Sequence, residues 1–106
     1  MIAAEAMNLV SAFVRAEVRE RFGASDAAEI IEALDTTPLP LLDGDHRKRG
    51  RARVHLAVLK LAEGDIERFR EAFALARLDW RDVLVAAGLA NADWPSVLQK
   101  SGWRVR

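Results

Sequence analysis

The stretch DIERFREAFALARLDWRDVLVAAG, Asp65 to Gly88, decides how this chain folds. It reads as two helices set end to end. Asp65 stands where an N-cap side chain accepts a free backbone amide. Ile66, Phe69, Phe73 and Ala76 then recur at steps of three and four, the spacing of one helical face. Arg68, Arg70, Glu71 and Arg77 fall mostly off that face. Asp79 opens the second helix, and Asp82 follows in its first turn, where a carboxylate satisfies free amides and opposes the positive end of the helix dipole. The run WRDVLVAA then stops at Gly88, a residue suited to the left-handed turn that ends helices.

Upstream, the segment VHLAVLKLA, Val54 to Ala62, is apolar on most sides, which marks a helix surrounded by other helices. It is expected to start between His46 and Arg51, run to Glu63 and end at Gly64. A first amphipathic helix is expected from Ile2 to Phe22, with Met7, Val10, Phe13, Val14, Val18 and Phe22 inward and Gly23 closing it in a left-handed turn. Ser25 or Asp26 then caps a second helix to about Leu34, with Glu29 in capping-box register and Ile30, Ile31 and Leu34 inward. Pro38 and Pro40 make residues 36–45 an extended connector whose Leu39, Leu41 and Leu42 still pack. Downstream, Asp93 to Lys100 reads as a short capped helix with Pro95 in its first turn, stopped by Gly102. No segment alternates as a strand does. The expected fold is all-α, a compact bundle of five or six helices without a sheet, as a single domain over residues 1–106. Trp80 and Trp94 close one end of its core, with Trp103 a further candidate.

Composition sets the chemical limits. Of 106 residues, 51% are apolar and 30% charged, the balance of a chain that folds into one core. The absence of cysteine excludes disulfides, thiolate zinc sites and cysteine nucleophiles, and permits a reducing compartment. The N-terminal segment has no basic start and carries Glu5 among its apolar residues, so it does not read as a signal peptide. No apolar run approaches the roughly 18 residues of a membrane span. A cytoplasmic protein is expected.

The run RVHLAVLKLAEGDIERFREAFALARLDWRDVLVAAG, Arg53 to Gly88, resembles a group of small bacterial helical proteins of unknown function, through VLKLAEGD and the later Trp80-Arg-Asp-Val-Leu84. The resemblance covers about a third of the chain, mostly core and capping residues. It implies a helical fold in a bacterial cytoplasm and carries no activity with it.

Formal net charge is zero, but the charges are unevenly placed. Residues 1–45 hold nine acids and three bases, whereas DHRKRGRAR, Asp45 to Arg53, brings Arg47, Lys48, Arg49, Arg51 and Arg53 together. Such a run suits phosphates, with salt-sensitive and sequence-independent binding, or an acidic protein surface. On a helix, His46, Arg49 and Arg53 share one face and Arg47 and Arg51 another, so the charge wraps around. No aromatic residue interleaves the run to stack on bases. A solvated helix start, balanced by acids of the first two helices, is the competing structural reading.

Chemistry-bearing constellations are scarce. Gly44 and Gly50 have five residues between them and are followed by Arg51 and Ala52, which is not a phosphate-binding loop. His46 lies near Asp43 and Asp45, but His55 is nine residues away on a different helical face, so no metal site is expected. Without Tyr or Cys, and with no serine near a histidine in sequence, no catalytic residue, cofactor or small-molecule substrate is expected. The Asp65–Gly88 pair has the outline of a helix-turn-helix, yet its second helix offers only Arg81 and Asp82 before VLVAA. Trp94 and Trp103, the latter in the tail SGWRVR, either fold back on the core or anchor a partner. The expected role is a protein-interaction or structural module, with a homodimer as one form. The acidic first helices and the basic run would then be its complementary surfaces. Non-specific nucleic-acid binding through residues 47–53 is the alternative.

Overall fold

A computed structural model describes residues 9–39 and 47–105, with side chains from residue 50 onward in the second span. The expectations for Ile2 to Met7, and for Leu41 and Leu42, lie outside the described residues. All regular structure among the described residues is helical: α1 (Ala12–Arg21), α2 (Ala24–Thr36), α3 (Arg47–Ala62), α4 (Ile66–Leu78), α5 (Trp80–Ala87) and α6 (Trp94–Lys100). No helix among them is long and apolar enough to cross a membrane.

The helix ends of the second half follow their local signals, except that α6 starts after Asp93 without the expected side-chain cap hydrogen bond. The Asp65 carboxylate accepts from the amides of Glu67 and Arg68, and that of Asp79 from the amide of Arg81. Asp79 serves two helices, since its own amide closes α4 on the Leu75 carbonyl at 2.8 Å. At the end of α5, Gly88 adopts φ 76°, and the amides of Gly88 and Leu89 return to the carbonyls of Val85 and Leu84. The end of α6 repeats this: Gly102 has φ 89°, and the amides of Gly102 and Trp103 bond to Gln99 and Leu98.

The first half departs from expectation in two places. The first helix does not run unbroken from Ile2, because Leu9, Val10 and Ser11 are not helical and α1 begins at Ala12. Contacts distant in sequence hold that break open. The Leu9 amide bonds to the Asp35 carbonyl at 3.3 Å, and the Val10 amide to the Asp35 side chain at 2.9 Å. Gly23 is not a left-handed terminator either. It is extended, with φ −64° and ψ 165°, and is the N-cap of α2, its carbonyl taking the Ala27 amide at 2.8 Å. Only Phe22 and Gly23 separate α1 from α2, too few for a left-handed turn followed by a new cap. Asp26 consequently lies in the first turn of α2 and does not cap it. The helix runs two residues beyond Leu34, to Thr36, whose hydroxyl donates to the Glu32 carbonyl.

One apolar cluster takes side chains from every helix, including Val14, Ile30, Leu56, Phe69, Leu84 and Leu98. α3 is its axis and packs against α1, α4 and α5, which explains why Val54 to Leu59 are buried all round. Phe69 and Phe73 stack with centroids 5.5 Å apart and an interplanar angle of 19°. Leu39 is buried, as the connector reading requires.

Candidate interaction surface

The basic run divides into two parts. Arg51 Nε donates to the Leu9 carbonyl at 3.1 Å. Arg53 Nε donates to the Leu89 carbonyl at 2.9 Å and its Nη2 to that of Asn91 at 3.3 Å, with the guanidinium carbon 5.8 Å from the Trp94 ring centroid. Both side chains thus satisfy carbonyls of non-helical backbone, one ahead of α1 and one between α5 and α6. Partial burial pulls the Arg53 guanidinium below its usual pKa. The backbone of Arg47, Lys48 and Arg49 belongs to α3. Their side chains, with all of Asp43, Asp45 and His46, lie outside the described residues.

Acids of the first two helices find bases elsewhere. Asp35 pairs with Arg15 at 3.2 Å, and Arg70 reaches both oxygens of Glu29 at 2.8 Å, which holds the Glu29 carboxyl below its usual range. Glu17 is fully buried: Oε1 accepts from Arg21 Nε and Oε2 from the backbone amide of Arg104, both at 2.8 Å. Arg104 also reaches Glu20 at 2.6 Å, and the Arg21 guanidinium carbon lies 3.5 Å from the Trp103 ring centroid. The C-terminal tail therefore folds back onto α1. Trp94 is buried and Trp103 half-buried, so neither is fully presented to a partner. His55 is buried in the core with neither ring nitrogen hydrogen-bonded among the described residues. Burial and the nearby Arg51 charge pull its pKa down to about 3, against a smaller opposing effect of Asp35. It is a neutral core residue. Among the described residues no group of three His, Asp or Glu side chains is placed to hold a metal ion.

The outer face of the α4–α5 hairpin is different in kind. Leu78 is 86% exposed, Val85 68% and Leu75 37%. Leu75 and Leu78 stand three apart on α4, hence on one side of it, and Val85 shares the exposed side of α5 with Arg81, Asp82 and Ala86. Beside them is an open groove of about 580 Å³, with Leu61, Ala72, Leu75, Ala86 and Ala87 supplying its apolar lining and Lys60, Glu63, Arg68 and Glu71 its polar one. The small alanines leave the space. Lys60 fixes one wall, its Nζ donating to the Ala87 carbonyl at 2.7 Å, at the negative end of α5. Glu63 and Arg68 pair at the same groove. This surface can bury an aliphatic side chain between two helices, but with Arg81 as the only base on the exposed side of α5 it is poorly equipped to read base edges.

Sequence reasoning passed over this face, although a signal was present. The buried stripe of α4, Phe69, Phe73 and Ala76, leaves Leu75 and Leu78 off it, and the buried Val83 and Leu84 leave Val85 on the far side of α5.

No protein-family model, no curated protein and no solved structure matches this chain.

Proposed function

We propose that this chain is a protein-interaction module whose working surface is the α4–α5 hairpin. One observation carries the reading: Leu78 and Val85, both largely solvent-exposed, lie on the hairpin whose two helices also wall the alanine-lined groove. A single exposed leucine is ordinary on any protein surface; large aliphatic side chains beside a concave apolar site are the composition of a binding face. Burying one such side chain is worth about 1.5–3 kcal/mol, so two anchors contribute at the level of an interface hot spot. The role is binding and not catalysis. A cytoplasmic setting belongs to the same proposal and is supported by the cysteine-free sequence.

The test is retention on immobilised protein. Wild-type chain and a Leu78→Glu/Val85→Glu double variant, matched in helicity by circular dichroism, are exposed to the same soluble lysate. Proteins, including added copies of the chain itself, should be held by the wild type and lost from the variant. An identical retained set on both baits removes the hairpin face from consideration.

A further inference from the structure

We infer that His55 is the trigger of an acid-operated clasp. A proton on its ring draws the Asp35 carboxylate away from Val10 and pushes the Arg51 guanidinium outward, so that Leu9–Ser11 opens while α4 and α5 stay packed on α3. The device is separate from the α4–α5 surface.

The clasp is small, and two residues make it. Leu9, Val10 and Ser11 form no helix. The Leu9 amide donates to the Asp35 carbonyl, the Val10 amide donates to the Asp35 side chain, and the Leu9 carbonyl accepts from Arg51 Nε. Each of these bonds ends on Asp35 or Arg51, and Asp35 is also paired with Arg15 of α1.

The same two residues set the electrostatics of the buried imidazole. Among the described residues the charges acting on His55 are Arg51, from its own helix, and Asp35, from the end of α2, with Arg15 of α1 joined to Asp35. Arg51 and His55 stand four apart on α3, so their side chains lie on one side of it, the side turned to Leu9. The ring is wholly buried, and neither Nδ1 nor Nε2 has a hydrogen-bond partner among the described residues. A neutral imidazole can occupy that place at a cost; an imidazolium, with two N–H donors and a full charge, cannot. It has a like charge one turn away and one carboxylate within electrostatic reach. Both responses that relieve it, Asp35 turning to the ring and Arg51 moving to water, undo the bonds on Leu9 and Val10. A cleft of about 70 Å³ lined by Leu9, Pro38, Leu39 and Arg51 lies at the clasp and has room for water around the departing guanidinium.

The direction with pH follows from burial. In the closed chain the ring's pKa is held down to about 3, and it returns toward the ordinary 6.5 once water reaches the nitrogens. Between those limits only the open form takes up the proton. Opening therefore grows as pH falls, about 25-fold from about pH 7 to pH 5.

Amide hydrogen exchange of the full chain, followed residue by residue by NMR in low urea at about pH 7 and about pH 5, tests the clasp. Both pH values lie above the range of ordinary carboxylates. The Leu9 and Val10 amides should open more often than those of Val58 and Leu59 in the buried axis of α3, and with little urea dependence, as a local opening does. After correction for the intrinsic exchange rate, that opening should rise about 25-fold between the two pH values. In His55→Leu, and independently in His55→Gln, the rise should vanish. Val10 exchange that matches Leu59 in rate and urea dependence would overturn the proposal, because the stretch then opens only with the whole chain. So would a wild type without the pH-dependent rise, or a rise that survives in a folded His55 variant.

Discussion

The imidazole of His55 is an unusual tenant of a core built from apolar side chains, where the other buried polar group among the described residues, Glu17, has its hydrogen bonds made. A polar group buried without a hydrogen bond costs about 1–3 kcal/mol, and here both ring nitrogens lack one among the described residues. The same burial sets a pH dependence. With a folded-state pKa of about 3 and an ordinary value of 6.5 in the unfolded chain, only the unfolded state takes up a proton between those limits. Stability is therefore full above about pH 6.5 and falls as pH drops toward 3. Between about pH 7 and pH 5 the loss from this residue is about 2 kcal/mol. Urea denaturation at the two pH values should show it, and His55→Leu should be more stable by about 1 kcal/mol at pH 7 and should lack that component of the pH slope. Equal pH slopes in the two proteins would mean that His55 is protonated or hydrogen-bonded when folded.

Helix α5 has both ends made by single residues, and each can be tested alone. Asp79→Ala removes the side-chain acceptor at its start and should cost about 1 kcal/mol. Gly88→Ala should cost about 1–2 kcal/mol, entirely through the backbone, since a β-carbon there meets nothing within 4 Å but φ stays at 76°. Thermal unfolding of both variants checks the pair. These ends were legible in the sequence because caps and glycine turns act over three or four residues. The beginning of α1 was not legible, because what opens the chain at Leu9 and Val10 is Asp35, 25 positions from Val10, and Arg51, 42 positions from Leu9. Gly23 carried a local signal of the wrong kind: its composition permits a left-handed turn, and the proximity of the next helix forbids it. For the surface, the sequence displayed the charges of residues 47–53 plainly, while Leu78 and Val85 became visible only once the neighbours of their helices were known.

In the whole molecule helix α1 and the C-terminal tail meet at Glu17. The bonds from the Arg21 side chain and the Arg104 amide compensate its burial, and removing the carboxylate leaves both without that acceptor. Glu17→Ala should cost about 2–3 kcal/mol and release the tail, seen as a red shift of tryptophan emission as Trp103 leaves Arg21 for water. An unshifted spectrum would show that packing, not Glu17, holds the tail. This arrangement also has a consequence for biosynthesis. The carboxylate precedes the amide it accepts by 87 positions, an interval of about 4–17 s at ordinary translation rates. Throughout that interval the growing polypeptide keeps Glu17 hydrated next to Val14 and Val18, so this flank is the last part of the bundle a ribosome can complete, and a slowed or prematurely released chain carries an open seam.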